Sequence, residues 1–321
     1  MSRMSGNEKW TVIANPKAGS RRFFQRKSSI EKRLEKAGLD AEIIVTEYAG
    51  HATVLVKRLL EEENVRHLIV AGGDGSVSEV VDGIFSSSVD PSEVTLAIMP
   101  GGTGNDWARY WGIPKKARKS IPFIVDGYTR RVDVGRLSYF HQGEQKVKYF
   151  INSVGMGFDA QVVYYTELIS RFLPGRSWVY SLAVLMGALM HSSKPLRLEL
   201  DATGCVVDDA VYTISIANGP YTGGGIKQTP DAVPTDGIFD LFVVVRPSFF
   251  LLIKSLYRLF KKRLEGNSCL RFFRSSSLRI VCSNKNKVEA DGILLEGAEG
   301  PFDLELLPNA LRMVVPKDFV E

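Results

Sequence analysis

The first 130 residues alternate short apolar runs with longer amphipathic runs, and this alternation is what most restricts the fold. Strands alternating with helices favour a doubly wound parallel sheet, in which ligands bind beyond the carboxyl ends of the strands. The runs predict strands at Trp10–Ala14, Ala41–Thr46, His67–Ala71 and Thr95–Met99, and helices at Phe23–Ala37, Ala52–Glu62 and Val77–Phe85.

A distinctive loop follows each predicted strand: Asn15–Gly19, Thr46–His51, Gly72–Ser76 and Gly101–Asp106. The strongest local signal is Gly72-Gly73-Asp74-Gly75-Ser76. Its glycines let the backbone turn tightly and bring N–H groups against a phosphate, and the following helix presents the positive end of its dipole. The alternative is a plain glycine turn. Because the loops share one edge of the sheet, they predict one site.

The loop Gly101-Gly102-Thr103-Gly104-Asn105-Asp106 repeats this logic. Thr103 is a candidate phosphate donor, whereas Asp106 either caps the next short helix or supplies a carboxylate near a metal ion. Neither glycine loop matches Gly-x-x-x-x-Gly-Lys-Ser/Thr, nor Gly-x-Gly-x-x-Gly at the first strand. Two separate glycine–aspartate loops are nevertheless far more specific than one.

After about Arg131 the chain becomes rich in predicted strands, which favours an antiparallel sandwich or barrel. We therefore expect an α/β domain at 8–131 and a β-sandwich domain at 132–307, with segment 308–321 packing back on the first domain. The predicted strands are Val132–Leu137, Lys148–Ser153, Leu196–Leu200, Val211–Ala217, Phe239–Val245, Leu278–Val281, Phe302–Leu306 and Leu311–Val315, and the helical insertions are Gln161–Met190 and Phe249–Leu264.

Composition limits the partners and the compartment. The net charge of +5 favours phosphates or acidic lipid headgroups but is too small to predict nucleic-acid binding. The three cysteines lack metal-ligand spacing and make no disulfide framework. The first residues contain no apolar signal region, and no apolar stretch approaches ~20 residues, so we expect a cytoplasmic protein that does not span a membrane.

Two apolar segments are candidates for contact with the inner face of a membrane. Residues 249–263 form a basic amphipathic pattern, with Phe249, Ile253, Leu256 and Phe260 on one helical face. This helix either packs on the sandwich core or docks on anionic lipid. The apolar segment Trp178–Met190 is a second possible lipid-facing surface.

The order and spacing of the loop motifs resemble those of the diacylglycerol kinase catalytic-domain family, which includes sphingosine kinases, ceramide kinases and soluble bacterial lipid kinases. The motifs are Asn15-Pro16-Lys17-Ala18-Gly19, Thr46-x-x-x-Gly50-His51-Ala52, Gly72-Gly73-Asp74-Gly75-Ser76 and Gly102-Thr103-Gly104-Asn105-Asp106. The later motifs Asp133-Val134-Gly135 and Asp236-Gly237-Ile238-Phe239-Asp240 extend the resemblance over nearly the whole chain. It implies a phosphofructokinase-like nucleotide domain followed by a β-sandwich, and ATP-dependent phosphorylation of a hydroxyl on a membrane lipid.

The resemblance also implies roles for residues, with ATP and Mg²⁺ as cofactors. Asp74, Asp106 and Asp133 are expected to share magnesium's water ligands in the catalytic network; the alternative for Asp133 is a strand-end turn. Ser76 and Ser78 stand where the family commonly has Thr and Asn. The implied ATP contacts are Asn15, Thr46, Gly72, Gly73, Asp74, Gly75, Ser76, Val77, Ser78, Glu79, Gly102 and Thr103.

Relatives that resemble this chain hold a structural magnesium ion at the later aspartate turn. Carried over, its ligands are the Asp236 side chain and the carbonyl oxygens of Val233 and Ile238, in keeping with magnesium's preference for oxygen. A solvated turn is the alternative.

One departure concerns the proton acceptor. The family usually has Asp-Gly-Glu in this region, whereas this chain has Asp291-Gly292-Ile293. Isoleucine takes no proton, so Asp291 is the expected acceptor and Glu296 a poorer one. Alternatively, Asp291 only holds the turn before Gly292.

Other functions stay open at this point. An NAD kinase shares similar glycine–aspartate loops, although the Asn15-Pro16 start leans against it. A nucleotide- or lipid-binding regulator that has lost catalysis is motivated by Ile293. The sequence distinguishes neither diacylglycerol from a sphingoid base nor a monomer from a homodimer.

Overall fold

The computed structural model describes residues 2–3, 9–16, 23–172, 178–247, 269–282, 286–317 and 319. An α/β domain is followed by a β-rich domain, which confirms the predicted fold class. The helices are α1 Phe23–Lys36, α2 His51–Glu62, α3 Asp74–Phe85, α4 Asp106–Tyr110, α5 Ala117–Val125, α6 Phe158–Phe172 and α7 Trp178–Met190, with a short 3₁₀ helix at Pro91–Glu93.

The strands of the first domain are β1 Ser2–Arg3, β2 Trp10–Ala14, β3 Ala41–Val45, β4 His67–Gly72 and β5 Thr95–Pro100. Those of the second are β7 Glu144–Phe150, β8 Ser153–Gly157, β9 Lys194–Leu200, β10 Gly204–Ala217, β11 Tyr221–Thr222, β12 Ile226–Lys227, β13 Phe239–Val245, β14 Leu270–Ser275, β15 Ser277–Cys282, β16 Val288–Ala290 and β17 Ile293–Leu294. Two long strands, β6 Tyr128–His141 and β18 Glu299–Val315, belong to both domains.

The first domain is built on parallel strands in the order β3–β2–β4–β5. Side chains alternate across this sheet, so Val12 packs in the cluster with α1 and α5 while Ile13 packs in the cluster with α2 and α3. Helices on both faces explain why the buried strands are almost wholly apolar. The loops after these strands therefore lie at one edge, as expected for a doubly wound sheet.

The strand β18 joins the two domains. Near its end, Arg312 and Met313 pair in parallel with Thr95 and Leu96 of β5, so the segment Leu311–Val315 lies against the first domain. The rest of β18 pairs with β6 and β15 in antiparallel register. A continuous hydrogen-bonded sheet thus crosses from one domain into the other.

The second domain is an antiparallel arrangement around β8, β10 and β13. Two predicted elements differ in their bounds. The predicted strand Lys148–Ser153 is the end of β7 and the start of β8, because the chain bends between them, and Gln161–Met190 divides into α6 and α7. The predicted helix Phe249–Leu264 lies outside the described residues.

Candidate active site

The two glycine loops touch each other through their backbones. A Cβ atom added to Gly102 would lie 2.5 Å from the Cα of Gly73, which no side chain tolerates. The loops are further joined by the Gly101 N–H, which donates to the Gly72 carbonyl at 2.7 Å. The Asn105 side chain closes the second loop by accepting from the Gly102 N–H at 2.9 Å and donating to its carbonyl at 2.6 Å. These bonds hold the backbones of the two loops against each other.

Two polar residues from neighbouring strands line the same edge. The Asn15 side chain donates to Ser76 Oγ at 3.0 Å, which ties the loop after β2 to the start of α3. Thr46 is buried, and its N–H donates to the Ala14 carbonyl at 2.9 Å. Thr103 is exposed at the mouth of the second loop. The structure thus brings Asn15, Thr46 and Thr103 to the edge where the glycine loops meet.

Two residues expected to contact ATP have other partners. Val77 packs in the apolar cluster, and its N–H donates to the Gly73 carbonyl at 3.1 Å. The Glu79 carboxylate accepts from the Gly50 N–H at 2.9 Å and the Ala52 N–H at 3.2 Å. Glu79 therefore holds the loop after β3 and the side chain of Val77 belongs to the core, so a contact of either residue with ATP stays a prediction.

Asp74 and Asp106 direct their carboxylates at the same glycine. A Cβ atom added to Gly104 would lie 3.0 Å from Asp74 Oδ2 and 3.4 Å from Asp106 Oδ2. Burial raises the pKa of Asp74 to about 6, and the charges of Asp106 and Asp291 add to the rise. Burial also raises the pKa of Asp106. Two carboxylates this close repel, so a cation held between them and a phosphate would stabilise both.

The first domain meets the second at this carboxylate pair. Asp106 Oδ2 accepts from the Gly224 N–H at 2.7 Å, and Oδ1 lies 3.5 Å from Arg109 Nε. The Arg109 guanidinium in turn donates to the carbonyls of Gly104 and Gly224, each at 3.2 Å. The glycine loop and the turn between β11 and β12 therefore meet at this site, and we call the junction between these two walls the cleft.

Asp291 also lies near the pair but is fully occupied by the backbone. It adopts a left-handed backbone angle (φ 50°), and its carboxylate accepts from the N–H groups of Ile151 at 2.9 Å, Asn152 at 2.8 Å and Ser153 at 3.0 Å. Burial raises the pKa of Asp291, and the hydrogen bonds from the three backbone N–H groups offset part of that rise. These contacts favour a turn-holding role.

The position of the family's glutamate is close to the first glycine loop. A Cβ atom added to Gly75 would lie 3.9 Å from Ile293 Cγ1. The hairpin of β16 and β17 thus brings Ile293 against the start of α3. Its apolar side chain stands in contact distance of the predicted phosphate loop and offers no acceptor there.

Asp133 is not part of this cleft, contrary to the expectation that it joins the catalytic carboxylates. It is fully buried, and its oxygens accept from the N–H groups of Gly237 and Asn309, both at 2.7 Å. Its own N–H donates to the Pro234 carbonyl at 2.9 Å. Asp133 therefore holds the Asp236 turn against β18 from the interior of β6, and it is not the strand-end turn residue of the alternative either.

Two of the residues expected to hold a structural magnesium ion, Asp236 and Val233, have protein partners in this structure. Asp236 Oδ1 accepts from the Ile238 N–H at 3.1 Å, and Oδ2 pairs with the Arg274 guanidinium. The Val233 carbonyl accepts from two N–H groups, those of Thr235 at 2.7 Å and Asp236 at 3.3 Å. Both Asp236 oxygens and the Val233 carbonyl thus already have partners, and Arg274 supplies the positive charge.

A cavity of about 690 Å³ lies at this turn, with Asp236, Asp240 and Arg274 among its lining residues. Arg274 Nε lies 3.3 Å from Asp240 Oδ1, whereas the other Asp240 oxygen is buried without a hydrogen-bond partner. Within the described residues, no group of three or more His, Cys, Asp or Glu side chains is arranged to hold a metal ion.

Sequence reasoning missed acidic and phenolic groups on the second wall. Burial raises the pKa of Asp159 to about 6, and Gln228 donates to its carboxylate at 3.0 Å. Burial, followed by the charges of Asp159, Asp106 and Glu289, raises the pKa of Tyr180. Asp159 follows Gly155-Met156-Gly157-Phe158 at a strand end, a glycine–aspartate pattern like that of Asp74. This pattern could have identified Asp159 as a candidate site residue from the sequence. Tyr180 had none.

Family models match both parts of the chain. Residues 9–137 match the diacylglycerol kinase catalytic domain, and residues 152–315 match the YegS C-terminal NAD kinase beta sandwich-like domain. Among the described residues, none of the helices has the length and apolar character needed to span a bilayer.

Relatives and solved structures agree with these matches. A diacylglycerol kinase of Staphylococcus saprophyticus is 32% identical, over 96% of this chain and 95% of its own. The crystal structure of a diacylglycerol kinase from Bacillus anthracis is 25% identical, with a TM-score of 0.71 and 98% of each chain covered. Yeast NADH kinase is similar in fold alone, at 13% identity and a TM-score of 0.54 over 97% of this chain and 84% of its own. The chain therefore belongs to the diacylglycerol kinase catalytic-domain family of lipid kinases.

Proposed function

We propose that this protein transfers the γ-phosphate of ATP to a hydroxyl group of a membrane lipid in the cleft between its two domains. The observation that carries the proposal is the pair Asp74 and Asp106, whose carboxylates face Gly104 beside two touching glycine loops. Phosphoryl transfer needs charge stabilisation and in-line positioning more than covalent chemistry, and this arrangement is suited to supply both.

The glycine loops are suited to the triphosphate. Backbone N–H groups at the start of α3, together with the exposed Thr103 hydroxyl, would bind phosphate oxygens. The Mg²⁺ that accompanies ATP would be held through water by Asp74 and Asp106, since magnesium keeps several waters and takes one or two carboxylates plus phosphates. Arg109, which already binds both walls, would keep the cleft closed around the phosphates.

Asp74 is the best-suited acceptor for the proton of the lipid hydroxyl. Burial raises its pKa to about 6 and a nearby Mg²⁺ would lower that value, so the carboxylate is ionised at neutral pH and available to take a proton. The lipid oxygen would attack the γ-phosphorus and lose its proton to Asp74. The bond between the γ-phosphorus and the bridging oxygen of ATP would break, and ADP would leave. This role does not need a glutamate at position 293, so the absence of that acid does not by itself favour a regulator without catalysis.

The test is transfer from γ-phosphate-labelled ATP to a total bacterial lipid extract, with NAD as a second acceptor in a parallel reaction. We expect a labelled phospholipid and no labelled NADP. Labelled NADP without a lipid product would favour the NAD kinase alternative, which rests on the fold likeness. ATP binding without transfer to either acceptor would favour a regulator. The lipid product, identified by mass, would assign the acceptor.

A further inference from the structure

The helix α7 exposes bulky apolar side chains where a surface helix ordinarily exposes charges. It contains no charged residue, and Trp178, Leu185 and Leu189 are 46%, 56% and 66% exposed along one helical face. Met190 at the end of α7 and Phe172 at the end of α6 are also exposed, at 68% and 78%. We call these five side chains the apolar face.

The opposite side of α7 carries small residues and is already used. Val179, Ala183 and Gly187 recur every four residues and are buried. A Cβ atom added to Gly187 would lie 3.1 Å from the ring of Phe158 and 3.3 Å from Val162, so α7 packs closely on α6 through this side. The bulky residues are therefore held outward by the packing of the small ones.

The same helix reaches the proposed active site. A Cβ atom added to Gly223 would lie 2.4 Å from the Tyr180 hydroxyl, so this hydroxyl touches the turn between β11 and β12. The adjacent Gly224 donates its N–H to Asp106. Within two turns of helix, α7 thus runs from a contact with the catalytic cleft to side chains that are exposed and apolar.

We propose that the apolar face is the surface on which this kinase docks on a lipid bilayer, with Trp178 and its neighbours entering the interfacial region. This rests on the proposed function, because a lipid hydroxyl must travel from a bilayer to the cleft. The contact of Tyr180 makes the apolar face continuous with that cleft. Interfacial helices carry bulky apolar and tryptophan side chains on the membrane side, whereas a charged protein partner would require charged residues that α7 lacks.

Trp178 provides a native reporter for this contact. The other tryptophans, Trp10, Trp107 and Trp111, are at most 1% exposed and lie in the first domain. Vesicles of equal parts phosphatidylcholine and phosphatidylglycerol should shift the tryptophan emission to shorter wavelength, and brominated phosphatidylcholine should quench part of it. Trp178→Phe should remove both responses. Responses that persist in this variant would overturn the proposal.

A pair of substitutions with a matched control tests the surface itself. Leu185→Glu with Leu189→Glu should weaken cosedimentation with these vesicles ~10-fold or more, because two anchoring side chains become charged. Val54→Glu is the control, since Val54 is 62% exposed on α2 of the first domain; it should bind vesicles as the parent does. Equal binding by all three proteins, or equal loss in both variants, would overturn the proposal.

Activity separates failure of this surface from failure of the proposed function. On vesicles, the double variant should show a raised KM, whereas its kcat/KM on a dispersed short-chain lipid should match that of the parent. Normal transfer to dispersed lipid without vesicle binding by the parent would overturn the surface alone. Vesicle binding without any transfer would overturn only the proposed function. The parent could instead fail to bind vesicles and form a concentration-dependent dimer that the two substitutions disrupt. That result would assign the apolar face to contact with a second copy of the chain.

Discussion

Asp74 and Asp291 are close in space but have different surroundings. The Asp291 carboxylate accepts hydrogen bonds from three backbone N–H groups. Asp74 Oδ1 accepts from the Trp107 N–H at 3.2 Å, and Asp74 Oδ2 faces Gly104. The residue that replaces the family's glutamate, Ile293, is apolar and packs near Gly75. At the scale of single residues, these contacts support our proposal that Asp74 is the proton acceptor and Asp291 a positioning residue.

Substitutions at positions 291 and 293 separate these roles. Asp291→Asn keeps one carbonyl oxygen but turns the other acceptor into a donor facing backbone N–H groups, so it should lower the melting temperature. If Asp291 only positions the turn, kcat should still show the Asp74 inflection in this variant, moved to lower pH because the Asp291 charge that helps raise the pKa of Asp74 is gone. Ile293→Glu should change kcat little. A sharp rise in kcat with Ile293→Glu would mean that the parent works without a base and would contradict the role of Asp74.

Asp74 should also have a measurable effect on stability. Its pKa is 3.8 in the unfolded chain and about 6 in the folded chain, so the folded state holds the proton more tightly. Stability therefore falls as the pH rises from about 4 through about 6, and above that the ionised carboxylate destabilises the fold. Asp74→Asn cannot ionise, so its melting temperature relative to the parent should be higher at pH ~8 than at pH ~4. An unchanged difference would mean that Asp74 is not buried in this way.

At the scale of elements, the site depends on the contact between two loops. Gly102→Ala would place a methyl group 2.5 Å from the Gly73 Cα, so we expect it to destabilise the fold by about 1–3 kcal/mol and to weaken MgATP binding. Gly101→Ala is the matched control for stability, because its methyl group would meet nothing closer than 3.6 Å. Urea unfolding and calorimetric titration with MgATP measure the two effects. Equal stability in both variants would mean that the loops are not in contact.

The turn between β12 and β13 gives a second test at this scale. Arg274 on β14 lies opposite Asp240 and also pairs with Asp236, so a guanidinium stands where relatives are expected to hold a divalent ion. A chelator should leave the parent's melting temperature unchanged. Arg274→Ala should lower it, and added Mg²⁺ should recover part of that loss. Arg279→Ala, which breaks an exposed pair with Asp303, is the control that Mg²⁺ does not rescue.

A drop in the parent's melting temperature on chelation, together with a stoichiometric divalent ion in the purified protein, would contradict this account of the turn. The family's magnesium ligands at Asp236, Val233 and Ile238 would then be restored. If the melting temperature of Arg274→Ala equalled that of the parent, both without and with added Mg²⁺, the ion pair would contribute nothing to the stability of the fold.

At the scale of the whole molecule, the parallel domain and its loop edge were predictable because strand and helix periods and glycine loops are local in sequence. The helices α2 and α3 begin within three residues of their predicted starts. What sequence reasoning missed depends on long-range contacts: Glu79 binds a loop 29 residues earlier, and Asp133 binds Asn309, 176 residues later. No local pattern distinguishes a carboxylate that meets a phosphate from one that meets a distant N–H group.

The same limit explains the second wall of the cleft. Gly224 of the turn and Asp106 of the first domain are 118 residues apart in the sequence. Tyr180 contacts the same turn from α7, whose sequence indicates only an apolar helix. Sheet continuity through β18 fixes how the two domains face each other, and it follows from pairings such as Arg312 with Thr95 that sequence alone does not specify.

In the proposed mechanism, Asp74 takes the proton from a lipid hydroxyl as ATP's γ-phosphate is transferred. The most direct test is the single-turnover rate of phosphate transfer to lipid against pH, for the parent and for Asp74→Asn. The parent's rate should rise with pH to an inflection at or below about 6 and then level off, because burial raises the pKa of Asp74 to about 6 and bound Mg²⁺ would lower it. The variant should bind MgATP, lose ~10²-fold or more in rate, and show no inflection near pH 6. A variant that transfers phosphate at nearly the parent's rate with the same pH profile would contradict the account.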